Sequence, residues 1–101
     1  MRFKIYQAPV EEKFAFMPYD FAERGVEDFA DNWQNHYEMV YEGELDAEMS
    51  GNPTYDILEY LFCKFNIEHP EDYKARSLST SDIVVLANDV FYCDSFGWKE
   101  I

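Results

Sequence analysis

One segment of this chain has the period of a helix, and most of what surrounds it has the period of a strand. From Asn52 to Asn66 the sequence reads NPTYDILEYLFCKFN. At about 100 degrees per residue, Ile57, Leu61, Phe65, Leu58, Phe62 and Tyr55 form one apolar stripe, with Asp56, Glu59 and Cys63 opposite. Asn52 before Pro53 predicts the start, an N-cap followed by proline at the first helical position. Lys64 suits the last turn through the helix dipole, Asn66 can cap the end, and Pro70 forbids continuation, so the helix is predicted over 53–65. Such a stripe has to be covered by another layer of structure.

The covering layer is legible as a set of short alternating segments. In RFKIYQ (2–7), Phe3 and Ile5 share one face and Lys4 and Tyr6 the other, and Pro9 ends the strand. In NHYEMVYE (35–42), Tyr37, Met39 and Tyr41 point one way and His36, Glu38, Val40 and Glu42 the other. DIVVL, the turn AND, and VFYCD predict a β-hairpin; Ser95 to Gly97 turns the chain again and WKEI adds a last short strand. Between the first two strands, FAFM is stopped by Pro18, and DFAE matches a capping box with Asp20 as N-cap and Glu23 three residues on. Gly25 can close that short helix in the left-handed conformation, and another helical turn over 27–33 puts Phe29 and Trp33 on one face. Gly43 to Gly51 reads as an acidic loop. The order predicts one α+β domain: a largely antiparallel sheet of four to five strands, one long helix packed on one face, and one or two short helices. A length of 101 residues admits a single modest core.

Charge excludes several function classes. The chain carries 21 Asp and Glu against 8 Lys and Arg, a net charge of -13. Between Gly25 and Cys63 there is no Lys or Arg, while Glu27, Asp28, Asp31, Glu38, Glu42, Glu44, Asp46, Glu48, Asp56 and Glu59 all fall there. Phosphate backbones and anionic lipids are bound through clustered cations, so direct nucleic-acid binding and membrane association are not expected. The segment MRFKIYQAPVEE lacks the apolar run of a signal peptide, and no stretch reaches the roughly 18 apolar residues of a membrane span. Cys63 and Cys93 form no short metal or redox pair, which points to a cytoplasmic protein with reduced thiols, Cys93 buried in the C-terminal strands and Cys63 more open.

Each candidate for chemistry has a plainer reading. RSLSTSDIVVL (76–86) packs Ser77, Ser79, Thr80, Ser81 and Asp82 before an apolar strand. A nucleophilic serine needs a base and an oxyanion hole, usually on a glycine-bearing turn, and no Gly lies between Gly51 and Gly97. These hydroxyls are expected to satisfy backbone groups where the loop enters the sheet. His36, His69, Cys63 and Cys93 are zinc-type ligands without local spacing, and EGELDAE lacks the residue order of a calcium loop, so no metal and no cofactor is expected. Tyr37, Tyr41, Phe62, Phe65, Phe91 and Tyr92 fall at core periods, although eight Tyr in so small a chain leave some at the surface, where they can anchor interfaces.

The segments RSLSTSDIVVL, FYCDSFGWKEI and YEMVYEGEL also resemble the C-terminal hairpin and central strand of YodL-like domains. The resemblance runs in order along the whole chain and rests on strand and turn motifs. It implies a small bacterial domain often carried on conjugative or phage-like mobile elements, alone or fused in larger proteins, and it supplies no catalytic residue to carry over. The expectation is a non-enzymatic module that binds a protein partner, with Tyr37, Tyr41, Glu42, Glu44, Asp46 and Glu48 as the contacting surface. The alternative is an acidic mimic of DNA that occupies the groove of a restriction or other DNA-binding protein.

Overall fold

The computed structural model describes residues 1–101. Its elements are β1 (Arg2–Gln7), α1 (Tyr19–Gly25), α2 (Phe29–Asn32) running into a 3-10 turn (Trp33–His36), β2 (Glu38–Glu44), α3 (Ala47–Ser50), α4 (Thr54–Asn66), β3 (Ile83–Leu86), β4 (Asp89–Cys93) and β5 (Trp98–Glu100). The strands form one antiparallel sheet in the order β2-β1-β3-β4-β5, so the fold is α+β as expected, with β3 at its centre and β1 between β2 and β3. Three short helices accompany the long one, against the one or two anticipated. No helix is long and apolar enough to cross a membrane.

Strand alternation sends side chains to both faces of the sheet, and each face is covered. On one side Phe3, Ile5, Val84, Leu86 and Phe91 pack under Ile57, Leu58, Leu61 and Phe65 of α4. On the other, Ile83 and Tyr92 pack under Phe14, Tyr19, Ala22, Phe29 and Trp33 from the segment of short helices. The predicted stripe of α4 thus holds, except that Tyr55 is 55% exposed and belongs to the surface. Cys93 is buried and Cys63 exposed, as the strand and wheel positions require.

Several local expectations are corrected. Asp20 does not cap α1: Pro18 occupies the N-cap with no side-chain bond, and Asp20 lies inside the first turn, where its charge still suits the dipole. Gly25 is the last helical residue and does not adopt a left-handed conformation; the positive φ values fall on Phe16, Asp28, Ser81, Ala87 and Gly97. Pro53 rather than Asn52 precedes the first turn of α4, and the Asn52 amide instead donates to Met49 Sδ. The acidic loop is not a loop throughout: β2 runs to Glu44, and Asp46 caps α3 by accepting from Met49 N at 2.7 Å.

The largest correction concerns the second strand. It spans 38–44 rather than 35–42, because Asn35 and His36 are taken up in the 3-10 turn. Ile5 pairs with Tyr41 and Tyr6 with Met39, so Val40 is an extra residue opposite β1. Such a bulge inverts the alternation. Tyr41 therefore packs with the α4 side and Tyr37 with the opposite side, not together on one face. Past the bulge the strand needs a glycine: a Cβ at Gly43 would sit 2.7 Å from the Phe3 ring.

Candidate functional site

The expected contact surface is dispersed and largely committed inside the molecule. The Tyr37 hydroxyl donates to Ser81 O at 2.6 Å, and burial raises its phenol pKa. Tyr41 lies between Phe3, Phe65 and Tyr73, with its hydroxyl donating to Asp72. Glu42 accepts from Arg2 Nε at 3.0 Å, and Glu44 meets both the N-terminal ammonium at 3.0 Å and Arg2 Nη1 at 3.4 Å. Arg2 and the N-terminus hold both carboxyls below the usual carboxylate range. Asp46 caps α3, which leaves Glu48 as the member of the set with no bond of its own.

The serine-rich segment works as a joint. Asp82, fully buried, accepts from Ser79 N at 2.8 Å, Gln7 Nε2 at 3.0 Å and Arg76 Nη2 at 3.1 Å. Gln7 also donates to Arg76 O and the Tyr73 hydroxyl. Burial pushes the Asp82 carboxyl up to about 7, against the pull of the Ser79 amide, Arg76 and Gln7. Ser81 Oγ accepts from Phe16 N at 2.9 Å, joining two non-glycine residues at positive φ, and the Arg76 guanidinium sits 5.1 Å over the Phe16 ring. Ser79 Oγ in turn donates to Ser77 O at 2.9 Å, so the hydroxyls of Ser79 and Ser81 satisfy backbone groups where the loop enters the sheet, while Ser77 does not.

Two further constellations are weak as catalysts. Ser77 Oγ lies 3.1 Å from His69 Nε2, but the pair is exposed and no carboxylate bonds the imidazole. His36 Nδ1 lies 2.6 Å from Glu12 Oε2. No three His, Cys, Asp or Glu side chains gather in a metal-holding group.

The arrangement with the features of a binding site lies elsewhere, where α4 meets the turn between β4 and β5. Glu59 and Phe62 of α4, Thr80, and Cys93, Asp94, Ser95, Gly97 and Trp98 line a cleft of about 180 Å³. Asp94 N donates to Gly97 O at 3.0 Å, closing a tight turn in which Gly97 takes φ of 79°. Trp98 is fixed from two sides: its indole N–H donates to Glu59 at 3.1 Å, and its ring meets Phe62 edge-on at 6.4 Å. Asp94 is held by Tyr19 N at 3.1 Å and Ser95 N at 2.8 Å. Cys93 closes the cleft, its thiol pushed up to about 12 by burial and by the negative field of Asp82, Glu59 and Asp94.

Beside this cleft stand the most exposed aromatic groups of the molecule. Phe96 is 97% exposed at the tip of the turn, and Tyr55 reaches across to Gly97, where a Cβ would lie 3.4 Å from its hydroxyl. Sequence reasoning took Ser95–Gly97 only as a turn. An aromatic residue at a turn tip, where nothing can cover it, was the available signal; the meeting with Glu59 was not, because α4 and β5 are far apart in sequence.

Comparison with known proteins gives one family. The model described as YodL-like domain matches residues 2–101, nearly the entire chain. No curated protein and no solved structure matches it.

Proposed function

The chain belongs to the YodL-like domain family, and from that premise we propose that it is a non-enzymatic module that binds another protein through the aromatic cleft between α4 and the β4–β5 turn. One observation carries the reading: Phe96 stands almost wholly in solvent at the rim of a preformed cleft. Exposing a Phe gains a folded chain nothing, whereas rigid aromatic anchors dominate protein interfaces. Tyr55, Phe62 and Trp98 extend the apolar surface around it. The module is read as cytoplasmic, with both cysteines kept as free thiols.

Incorporating a benzophenone amino acid at position 96 tests this. Irradiation in cells should yield one dominant crosslinked species, absent when the same group replaces Val10, which is exposed at 62% on another part of the surface. Equal labelling from both positions, or none from 96, overturns the proposal. The DNA-mimic alternative makes a different demand, namely that changing Glu42, Glu44, Asp46 and Glu48 to amides releases the partner and flattens its salt dependence. The bonds of Glu42 and Glu44 to Arg2 and the N-terminus favour the aromatic reading over it, because those carboxylates are already partly neutralised.

A further inference from the structure

Deepening the protein-binding reading, on which this rests, we infer that the cleft receives one arginine side chain of the partner. Its guanidinium meets Glu59 and Asp94, and its stem lies against Phe62 and Trp98.

Size limits the occupant first. A cleft of about 180 Å³ is below the roughly 300–1,000 Å³ of small-molecule sites and suits a single side chain. Charge limits it next. Among the eight lining residues two are acids and none is basic. Each acid is only half used within the protein: Glu59 accepts through Oε2 and Asp94 through Oδ1, which leaves Glu59 Oε1 and Asp94 Oδ2 to accept from outside. A carboxylate or phosphate would meet the same field that raises the Cys93 thiol. The net charge of -13 also draws cationic partners over longer range.

Shape decides between the two cations. The carboxylates come from different elements and leave two separate acceptor oxygens, with the Trp98 and Phe62 ring faces set edge to face between helix and turn. A planar guanidinium with several fixed donors and a face that stacks on aromatic rings matches that arrangement; a compact ammonium uses one corner of it. The acceptors are also held in place before binding, by Trp98 on Glu59 and by Tyr19 and Ser95 on Asp94, so little ordering cost remains.

The two indole N–H groups make a direct test. Trp98 Nε1 donates into the cleft wall at Glu59, whereas Trp33 is buried on the opposite side of the sheet and serves as the internal control. Titration with N-acetyl-arginine amide should move the Trp98 indole resonance saturably, with a dissociation constant of roughly millimolar order, and leave Trp33 in place. Glu59→Gln should weaken this about tenfold or more. Asp94→Asn should do the same, with an unmoved Trp33 signal showing that the fold is kept. N-acetyl-citrulline amide, neutral and nearly the same shape, should be without effect. A response to citrulline equal to that of arginine, or an unchanged affinity in Glu59→Gln, overturns the inference; an equal response to N-acetyl-lysine amide overturns the guanidinium assignment. If arginine fails at Trp98 while position 96 still crosslinks one partner, this inference falls and the protein-binding reading stands. A failure at position 96 with the Trp98 response intact falls on that reading instead.

Discussion

The two faces of the sheet are covered by different means. On one lies a regular helix of 13 residues, whose Ile57, Leu58, Leu61 and Phe65 repeat at helical spacing over Phe3, Val84, Leu86 and Phe91. On the other lie Pro9 to Tyr37, a succession of turns and helices too short to present a stripe. There the rings interlock edge to face: Phe29 meets Phe14 at 5.5 Å, Tyr19 at 5.8 Å and Tyr92 at 5.8 Å, and Trp33 meets Tyr6 at 4.9 Å. Phenol groups then fasten the irregular backbone, Tyr92 donating to Met17 O at 2.7 Å and Tyr37 to Ser81 O at 2.6 Å. A helix satisfies its own backbone and needs only an apolar stripe, whereas an irregular cover needs large rings to fill space and hydroxyls to close hydrogen bonds.

Removing the central side chain on each face tests the contrast most strongly. Phe29→Ala should cost about 3–5 kcal/mol and Leu61→Ala about 2–5 kcal/mol, with Phe29 the greater because its ring is shared among several others. Urea denaturation midpoints measure both. A clearly smaller loss for Phe29→Ala would mean that the irregular face is a dispensable cover.

Next in size is the joint between the faces at Asp82. Burial raises its carboxyl from an ordinary 3.8 to about 7. Between those values the folded chain holds a proton that the unfolded chain has released, so this contribution is present at low pH and is lost as pH rises toward 7. Glu42 and Glu44, lowered from 4.5, act oppositely and lower in the range, losing their contribution as pH falls. Stability of the wild type should therefore drop between about pH 5 and about pH 7, and Asp82→Asn should flatten the slope. Parallel slopes in the two proteins would place the titration elsewhere.

The smallest effect separates the two tyrosines that sequence alone puts on one face. Tyr37→Phe should cost about 0.5–1.5 kcal/mol, since Ser81 O loses a half-buried donor, while Tyr41→Phe gives up only an exposed bond to Asp72 and should be near neutral. Equal thermal shifts would show that the bulge does not divide them energetically.

Legibility follows the same division. The α4 stripe, the alternation of RFKIYQ and the apolar run before the last hairpin are periodic, so they could be read without neighbours. The bulge at Val40 leaves no mark in composition, and its consequence is a one-residue shift that moves Tyr37 and Tyr41 to opposite sides. Asp20 and Asn52 have the chemistry of N-caps but lie one or two residues from where tertiary packing starts the helices. Positive φ at Phe16, Ser81 and Ala87 defies local preference and is sustained by long-range bonds such as Phe16 N to Ser81 Oγ. The cleft was illegible for the same reason: Glu59 and Trp98 are brought together by the whole fold.

The interior place of β1, between β2 and β3, sets an order of assembly. Of the five strands it leaves the ribosome first, yet one of its edges is completed only by β3, with Phe3 opposite Leu86 and Ile5 opposite Val84. Until the C-terminal hairpin has been made, one edge of β1 stays unpaired, and an open strand edge is what holdase chaperones bind and what aggregates form on. Pairing across so long a stretch of chain also closes a large loop before it returns any contact energy, which slows folding. The sheet thus cannot close until β3 has been made, and β1 waits on a strand far along the chain.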